Sequence, residues 1–180
     1  MLLYCYPLSH NIITLDEVES IQLMSQKNES KFIDYVSQYG HRDNNKFLTP
    51  FKFHSFYHEL PFIKKLVSGC SLKTFPVIMK HTAGSTVRRH IDDHKDRRTL
   101  LSIPICPEVN YPPTYFWETM ESIEPIAIAT FDTMLPCLFN TTLIHGLTNT
   151  HESDRINLQF CFSEPIELVA ELFNSKKLFN

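Results

Sequence analysis

From Ser71 onward the chain is cut into short β-rich runs. LKTFPVIMK, GSTVRRHID, RRTLLSIPI, TYFWE, IAIATF, MLPCLF, TTLIHGL and RINLQFCF follow one another within about 90 residues, each bounded by turn chemistry. Many short strands at this spacing predict a β-sandwich or jelly roll. The first 70 residues read differently. Thr14 and Glu17 fit a capping box, and Val18, Ile21 and Met24 follow at helical spacing. Phe32, Tyr35, Val36 and Tyr39 repeat that spacing, with Gly40 as a stop. Residues 41–54 read as a polar loop. Phe56 to Val67 reads as a third helix, with Pro61 tolerable only near a first turn. Helices first and strands after predict a mainly β domain buttressed by N-terminal helices. The expectation is one domain over residues 1–180: a helical buttress and loop to 70, a β-core from 71 to 165, and an extension from 166 that fits a strand or a short helix.

The run from Arg155 is the most explicit strand. Ile156, Leu158, Phe160 and Phe162 fall on one face; Arg155, Asn157, Gln159, Cys161 and Ser163 fall on the other. The first face is for packing. The second is polar for a strand in a β-core, which predicts that it lines a wet cavity, with Arg155 and Asn157 pointing in together.

Four positions carry chemistry: His90 and Asp92, two apart, then His145, then Arg155 ten residues further on. Alternation along an extended chain puts His90 and Asp92 on one face. With His145 they make two imidazoles and a carboxylate, the facial set that leaves three positions open on non-haem Fe(II). Arg155 adds a planar, permanently charged fork suited to holding a carboxylate bidentately. Triad and clamp together point to an Fe(II) oxygenase that uses 2-oxoglutarate and O2. With nine histidines in the chain, an H-x-D pair can arise by chance, and Asp93 and His94 crowd the same stretch. The reading rests on the joint spacing of all four positions, not on any one.

Composition narrows the rest. A net charge of −3 gives no bulk attraction to nucleic acid or anionic lipid, so nucleic acid is not the expected partner. There is no apolar run of transmembrane length and no pattern of a secretory signal. The five scattered cysteines contain no C-x-x-C, which fits a reduced, cytoplasmic setting and small core residues better than a disulfide frame. Arg88 shares strand parity with His90 and is a candidate substrate contact or a rim charge. Trp117 and Tyr115 can wall a substrate pocket or pack as core.

The stretches GSTVRRHIDD…RRTLLSIPI, LFNTTLIHGLTN and RINLQFCFSEP resemble the 2-oxoglutarate/Fe(II) oxygenase superfamily, and within it the aspartyl/asparaginyl β-hydroxylase-like branch. The resemblance covers about residues 72–165. It implies a double-stranded β-helix, His90, Asp92 and His145 as iron ligands, and Arg155 on the far carboxylate of 2-oxoglutarate. It places Asn157 where related proteins often carry a small hydroxyl residue, and it implies cosubstrate contacts from Arg98 or Ser102. The namesake hydroxylases replace the carboxylate ligand by glycine, whereas this chain keeps Asp92, as do members acting on free amino acids such as proline. The expected activity is hydroxylation of an amino-acid side chain, free or in a peptide, with release of succinate and CO2. The alternatives are a non-catalytic cupin-like metal domain, a nucleic-acid-base oxygenase, and a zinc hydrolase on the same ligands. Arg155 argues against the hydrolase, which needs no carboxylate clamp.

Overall fold

The computed structural model describes residues 3–31, 33–34, 45–48, 58–92, 97–107, 110–131 and 135–179. Two antiparallel sheets carry the architecture. The strands are β1 (Cys5–Pro7), β2 (Ile33–Asp34), β3 (Asn45–Leu48), β4 (Thr74–His81), β5 (Thr86–His90), β6 (Thr99–Cys106), β7 (Thr114–Phe116), β8 (Ala127–Ala129), β9 (Cys137–Asn140), β10 (His145–Thr148) and β11 (Arg155–Phe162). The large sheet runs β1-β9-β6-β11-β4-β3-β2, and the small sheet runs β5-β10-β7-β8. Each of the eight runs read from sequence contributes a strand. The arrangement is a double-stranded β-helix.

Strand β11 lies at the centre of the large sheet, paired with β4 on one side and β6 on the other. Its two faces serve two cores. Ile156, Leu158, Phe160 and Phe162 are buried in a cluster with Ile21, Met24, Ile63, Val169 and Phe173, residues carried by the helices. Cys161, on the other face, belongs to a second cluster with Phe116, Phe131 and Phe139, between the sheets. The alternation seen in the sequence is therefore the division between a helix-covered outer face and a cavity-lining inner face.

Helix α1 (Leu15–Lys27) starts at the anticipated box: the Glu17 N–H donates to Thr14 Oγ1 at 3.3 Å, and the Thr14 N–H donates to Glu17 Oε2 at 2.7 Å. Such a cap is worth about 0.5–2 kcal/mol. Gln22 Nε2 donates to the Ile105 carbonyl at 2.9 Å and fixes the helix on β6. Helix α2 (Pro61–Gly69) begins with Pro61 in its first turn, where a missing N–H costs nothing. The extension resolves as helix α3 (Ile166–Asn174), burying Ile166, Val169, Ala170 and Phe173 at i, i+3, i+4, i+7. None of these helices is long and apolar enough to cross a membrane.

The reading of the N-terminal region needs three corrections. Ile33 and Asp34, placed in a second helix, pair as a strand with β3. Asn45–Leu48, placed in a loop, pairs with β4. The third helix starts at Pro61 rather than Phe56, since Pro61 cannot donate the hydrogen bond that an earlier start would require. Tyr35, Val36, Tyr39 and Gly40 lie outside the described residues.

Candidate metal centre

Each histidine of the candidate triad comes from the small sheet. In the β5–β10 ladder His90 stands opposite His145, and His145 in turn stands opposite Phe116 of β7. These three side chains share one face, which is turned toward the large sheet. Asp92 lies just beyond β5, where its N–H donates to the Thr141 carbonyl at 3.0 Å. One ligand atom from each of His90, Asp92 and His145 falls within 4.8 Å of the others.

The donor set is prepared for a divalent cation. His90 Nδ1 lies 2.8 Å from the Arg88 carbonyl, and His145 Nδ1 lies 2.9 Å from the Leu143 carbonyl. A carbonyl can only accept, so both Nδ1 atoms carry the proton and both Nε2 lone pairs are left for a metal. His90 Nε2 lies 3.6 Å from Asp92 Oδ1, while Asp92 Oδ2 is 3.4 Å from Arg97 Nη2. One carboxylate oxygen is thus turned to the triad and the other is held by an arginine.

Burial, helped by the charge of His90, lowers the His145 pKa to about 4, so this ring is neutral at pH 7. At Asp92 burial pushes upward but loses to the His90 hydrogen bond and the Arg97 charge, which bring the pKa down to about 2. At His90 burial pulls downward, and the Asp92 hydrogen bond and Arg88 carbonyl outweigh it, so the net shift is upward.

Arg155 lies at the start of β11, on the face of the large sheet turned toward the small one. It is 1% exposed, its guanidinium sits 4.7 Å from the centre of the Tyr111 ring, and Nη2 is 3.5 Å from Thr114 Oγ1. Its Nε has no hydrogen-bond partner among the described residues. A fully buried cation whose donors meet a ring face and a distant hydroxyl is suited to receive an anion. Asn157 is buried on the same face and donates Nδ2 to Ser102 Oγ at 2.9 Å; its Oδ1 has no partner among the described residues. Arg155, Asn157 and Ser102 therefore converge on one wall. The donor chemistry of the triad and the orphaned Arg155 Nε fit a ferrous ion and a dicarboxylate cosubstrate.

Other candidates lie elsewhere. Arg98 is exposed ahead of β6, its N–H spent on the Phe162 carbonyl at 2.8 Å; the strand begins only at Thr99, so alternation does not carry Arg98 inward. Trp117 and Tyr115 alternate with Phe116 and so occupy the opposite face of the small sheet. Arg89 lies over the Trp117 ring at 4.3 Å and donates to the Met120 and Ser122 carbonyls. With exposed Arg88 they border a groove of about 690 Å³ that none of the triad residues line.

Several residues of the centre were not singled out in the sequence. Arg97 holds Asp92. Thr141 accepts from the Asp92 N–H, donates its N–H to the Arg98 carbonyl at 3.1 Å, and donates its hydroxyl to the Arg97 carbonyl, so it ties Asp92, Arg97 and Arg98 to one residue. Tyr111 and Thr114 flank Arg155. Asn149 bonds the carbonyls of His81, Thr82 and Ser153 and stitches the ten-residue step from His145 to Arg155. Their partners are far away in sequence, so no local pattern marks them.

No protein-family model matches the sequence, and neither does any curated protein. Solved structures do match. A Pseudomonas putida prolyl-4-hydroxylase superposes with a TM-score of 0.55 at 12% identity, covering 88% of this chain and 91% of its own. A Trichoplax adhaerens prolyl hydroxylase in complex with a hypoxia inducible factor peptide gives 0.58 at 11%, covering 88% and 82%. HygX from Streptomyces hygroscopicus, with nickel and 2-oxoglutarate bound, gives 0.50 at 11%, covering 90% and 82%. At this identity the likeness is one of fold: the chain is built on the jelly roll these oxygenases use.

Proposed function

We propose that this protein is an Fe(II)- and 2-oxoglutarate-dependent oxygenase that hydroxylates an amino-acid side chain, free or in a peptide. The observation that carries the reading is that the gathered triad and buried Arg155 both face strand β7 between the sheets: Arg155 meets Thr114, and His145 stands opposite Phe116. A bare metal-binding domain has no use for that arginine, and a hydrolytic site needs none. The folds of the prolyl hydroxylases and of HygX support the reading. The narrower resemblance to the aspartyl/asparaginyl branch rests on the sequence motifs alone.

Bound together, the metal and cosubstrate supply the oxidising power that places one oxygen atom of O2 in a C–H bond, with 2-oxoglutarate leaving as succinate and CO2. The chain does the positioning. His90 and His145 offer Nε2, and Asp92 offers Oδ1 while Arg97 keeps Oδ2 in place. Arg155 takes the far carboxylate in two charge-assisted hydrogen bonds, with Thr114 beside it and the Tyr111 ring over the guanidinium. The aromatic cluster of Phe116, Phe131 and Phe139 keeps the inner wall dry.

The test is the Fe(II)–2-oxo-acid charge-transfer absorbance, titrated anaerobically with 2-oxoglutarate. Wild type develops the band. Arg155→Lys keeps the charge, loses the fork and weakens the cosubstrate while still binding iron. Losing a desolvated carboxylate partner costs about 2–5 kcal/mol, so Arg155→Ala raises the dissociation constant at least tenfold. A wild-type protein that binds iron but never shows the band is a metal-binding domain and not an oxygenase.

A further inference from the structure

Arg155, Asn157, Gln159 and Cys161 alternate along β11 and share its inner face. The third of them has no structural employment. Gln159 is 6% exposed, yet its Oε1 has no hydrogen-bond partner among the described residues, and none of them engages its Nε2. In the ladders Gln159 stands opposite Val77 of β4 and Ser102 of β6, both buried. Val77 offers nothing polar, and the Ser102 hydroxyl already meets Asn157 Nδ2 at 2.9 Å. A buried carboxamide with both ends unpaired destabilises a fold, and a methionine or leucine of similar size would pack there without that penalty. One step further along the same face, the Cys161 thiol feels the charge of the Asp92 carboxylate. The row therefore runs from Arg155 toward the carboxylate of the triad, and Gln159 lies between the two ends.

We propose that Gln159 binds the cosubstrate, its Nε2 donating a hydrogen bond to the 2-oxo-acid end of 2-oxoglutarate, opposite the carboxylate that Arg155 holds. The inference rests on the oxygenase reading and adds a second contact to the same ligand. The order along β11 decides which end is met. Gln159 is four residues beyond Arg155, about 13 Å along the strand at the usual rise, on the side of Asp92. A 2-oxo acid can only accept hydrogen bonds, so the amide N–H and not the carbonyl faces it. The donor is uncharged for a physical reason. The metal supplies positive charge at the 2-oxo-acid end, and a second buried cation on the strand that carries Arg155 would cost more to desolvate than a neutral amide does. The unpaired amide is then a cost in stability that is recovered when the ligand binds.

The test compares three readouts in Gln159→Met and Gln159→Leu, which fill the same space without a polar group. The urea midpoint of the metal-free protein stays at or above that of wild type, because an unpaired buried amide has been removed. Fe(II) affinity, by anaerobic calorimetry, is unchanged. The dissociation constant of 2-oxoglutarate, from the charge-transfer band of the Fe(II) protein, rises about tenfold or more, as expected for a lost hydrogen bond to a charged group. Combined with Arg155→Lys, the two losses multiply, because the residues hold opposite ends of the ligand. Unchanged cosubstrate affinity in both variants makes Gln159 an unpaired core residue and overturns the proposal. So does a fall in iron affinity or a lowered urea midpoint, either of which makes its role structural. A double variant no weaker than Arg155→Lys alone also overturns it, since Gln159 would then act only through Arg155. In each case the band still forms in wild type and the oxygenase reading stands; a wild type without the band removes both.

Discussion

His90 and His145 face each other directly across the β5–β10 ladder, their ring centroids 4.3 Å apart. Each ring is tethered through Nδ1 to a carbonyl two residues before it in its own chain segment. The pair therefore needs no rearrangement to present two Nε2 atoms to one ion, and the cost of ordering those rings is met by folding rather than by binding.

One ion per chain should bind at this pair with Asp92. Loss of an outer partner of a ligand already costs about 10–100-fold in metal affinity, so loss of a ligand itself costs more. Asp92→Ala and His145→Ala should each weaken Fe(II) by over about 100-fold in anaerobic calorimetry. Unchanged binding in both variants removes the triad.

Protons compete for the same atoms. At pH 7 His145 is neutral, with its pKa near 4, and Asp92, near 2, is ionised. Only His90, raised above the ordinary imidazole range by the Asp92 hydrogen bond and the Arg88 carbonyl, holds a proton that a metal must displace near neutrality. Iron affinity should fall about tenfold per pH unit below the His90 pKa, with close to one proton released on binding. Calorimetry in buffers of different ionisation enthalpy counts that proton, and a count near two contradicts the assignment.

The metal-free protein should lose stability in acid. His145 and His81 are both buried with lowered pKa values, so between pH 6.5 and about 4 the unfolded chain binds more protons than the folded one. Stability therefore rises with pH across that window. The raised pKa of His90 acts in the opposite sense, stabilising below 6.5 and fading as pH rises through its folded value. Two groups outweigh one, and the urea midpoint at pH 5 should lie below that at pH 7.

Phe160 is fully buried where β11 meets the helices, with the Phe179 ring 5.7 Å away edge-on. Phe160→Ala should cost about 3–5 kcal/mol in denaturant unfolding. A midpoint close to wild type would mean that this face is not packed.

Gly146 sits between a ligand and a tight ladder. A Cβ there would lie 2.8 Å from the Val87 carbonyl oxygen, and a backbone atom cannot swing aside as a flexible side chain does. Gly146→Ala should push β5 from β10 at a cost of about 1–3 kcal/mol. Because His90 and His145 lie on those two strands, iron affinity should fall with it, measured on the folded fraction by calorimetry.

What the sequence disclosed follows the physics of each element. The two faces of β11 were legible because a strand with one face against helices and one against a cavity alternates strictly. The Thr14 cap was legible because a capping box is local. Strands β2 and β3 were not, because they are short segments at one end of the large sheet, and the pairing of β2 with β3 and of β3 with β4 is decided at long range. The gathering of His90, Asp92 and His145 followed from spacing. Arg97 did not, because it lies outside any strand and its place is set by Thr141, more than forty residues away. Trp117 was offered to the substrate pocket, and strand parity with Phe116 puts it on the other side of the sheet.

The triad histidines belong to the small sheet and Arg155 belongs to the centre of the large one. No shared ladder joins them, so damage to one half does not have to travel to the other. If the proposed roles hold, loss of Arg155 leaves the triad intact, and loss of a triad histidine leaves Arg155 and its partners intact. On the oxygenase reading proposed above, a substitution confined to one sheet then removes one half of the site and leaves the other half in place.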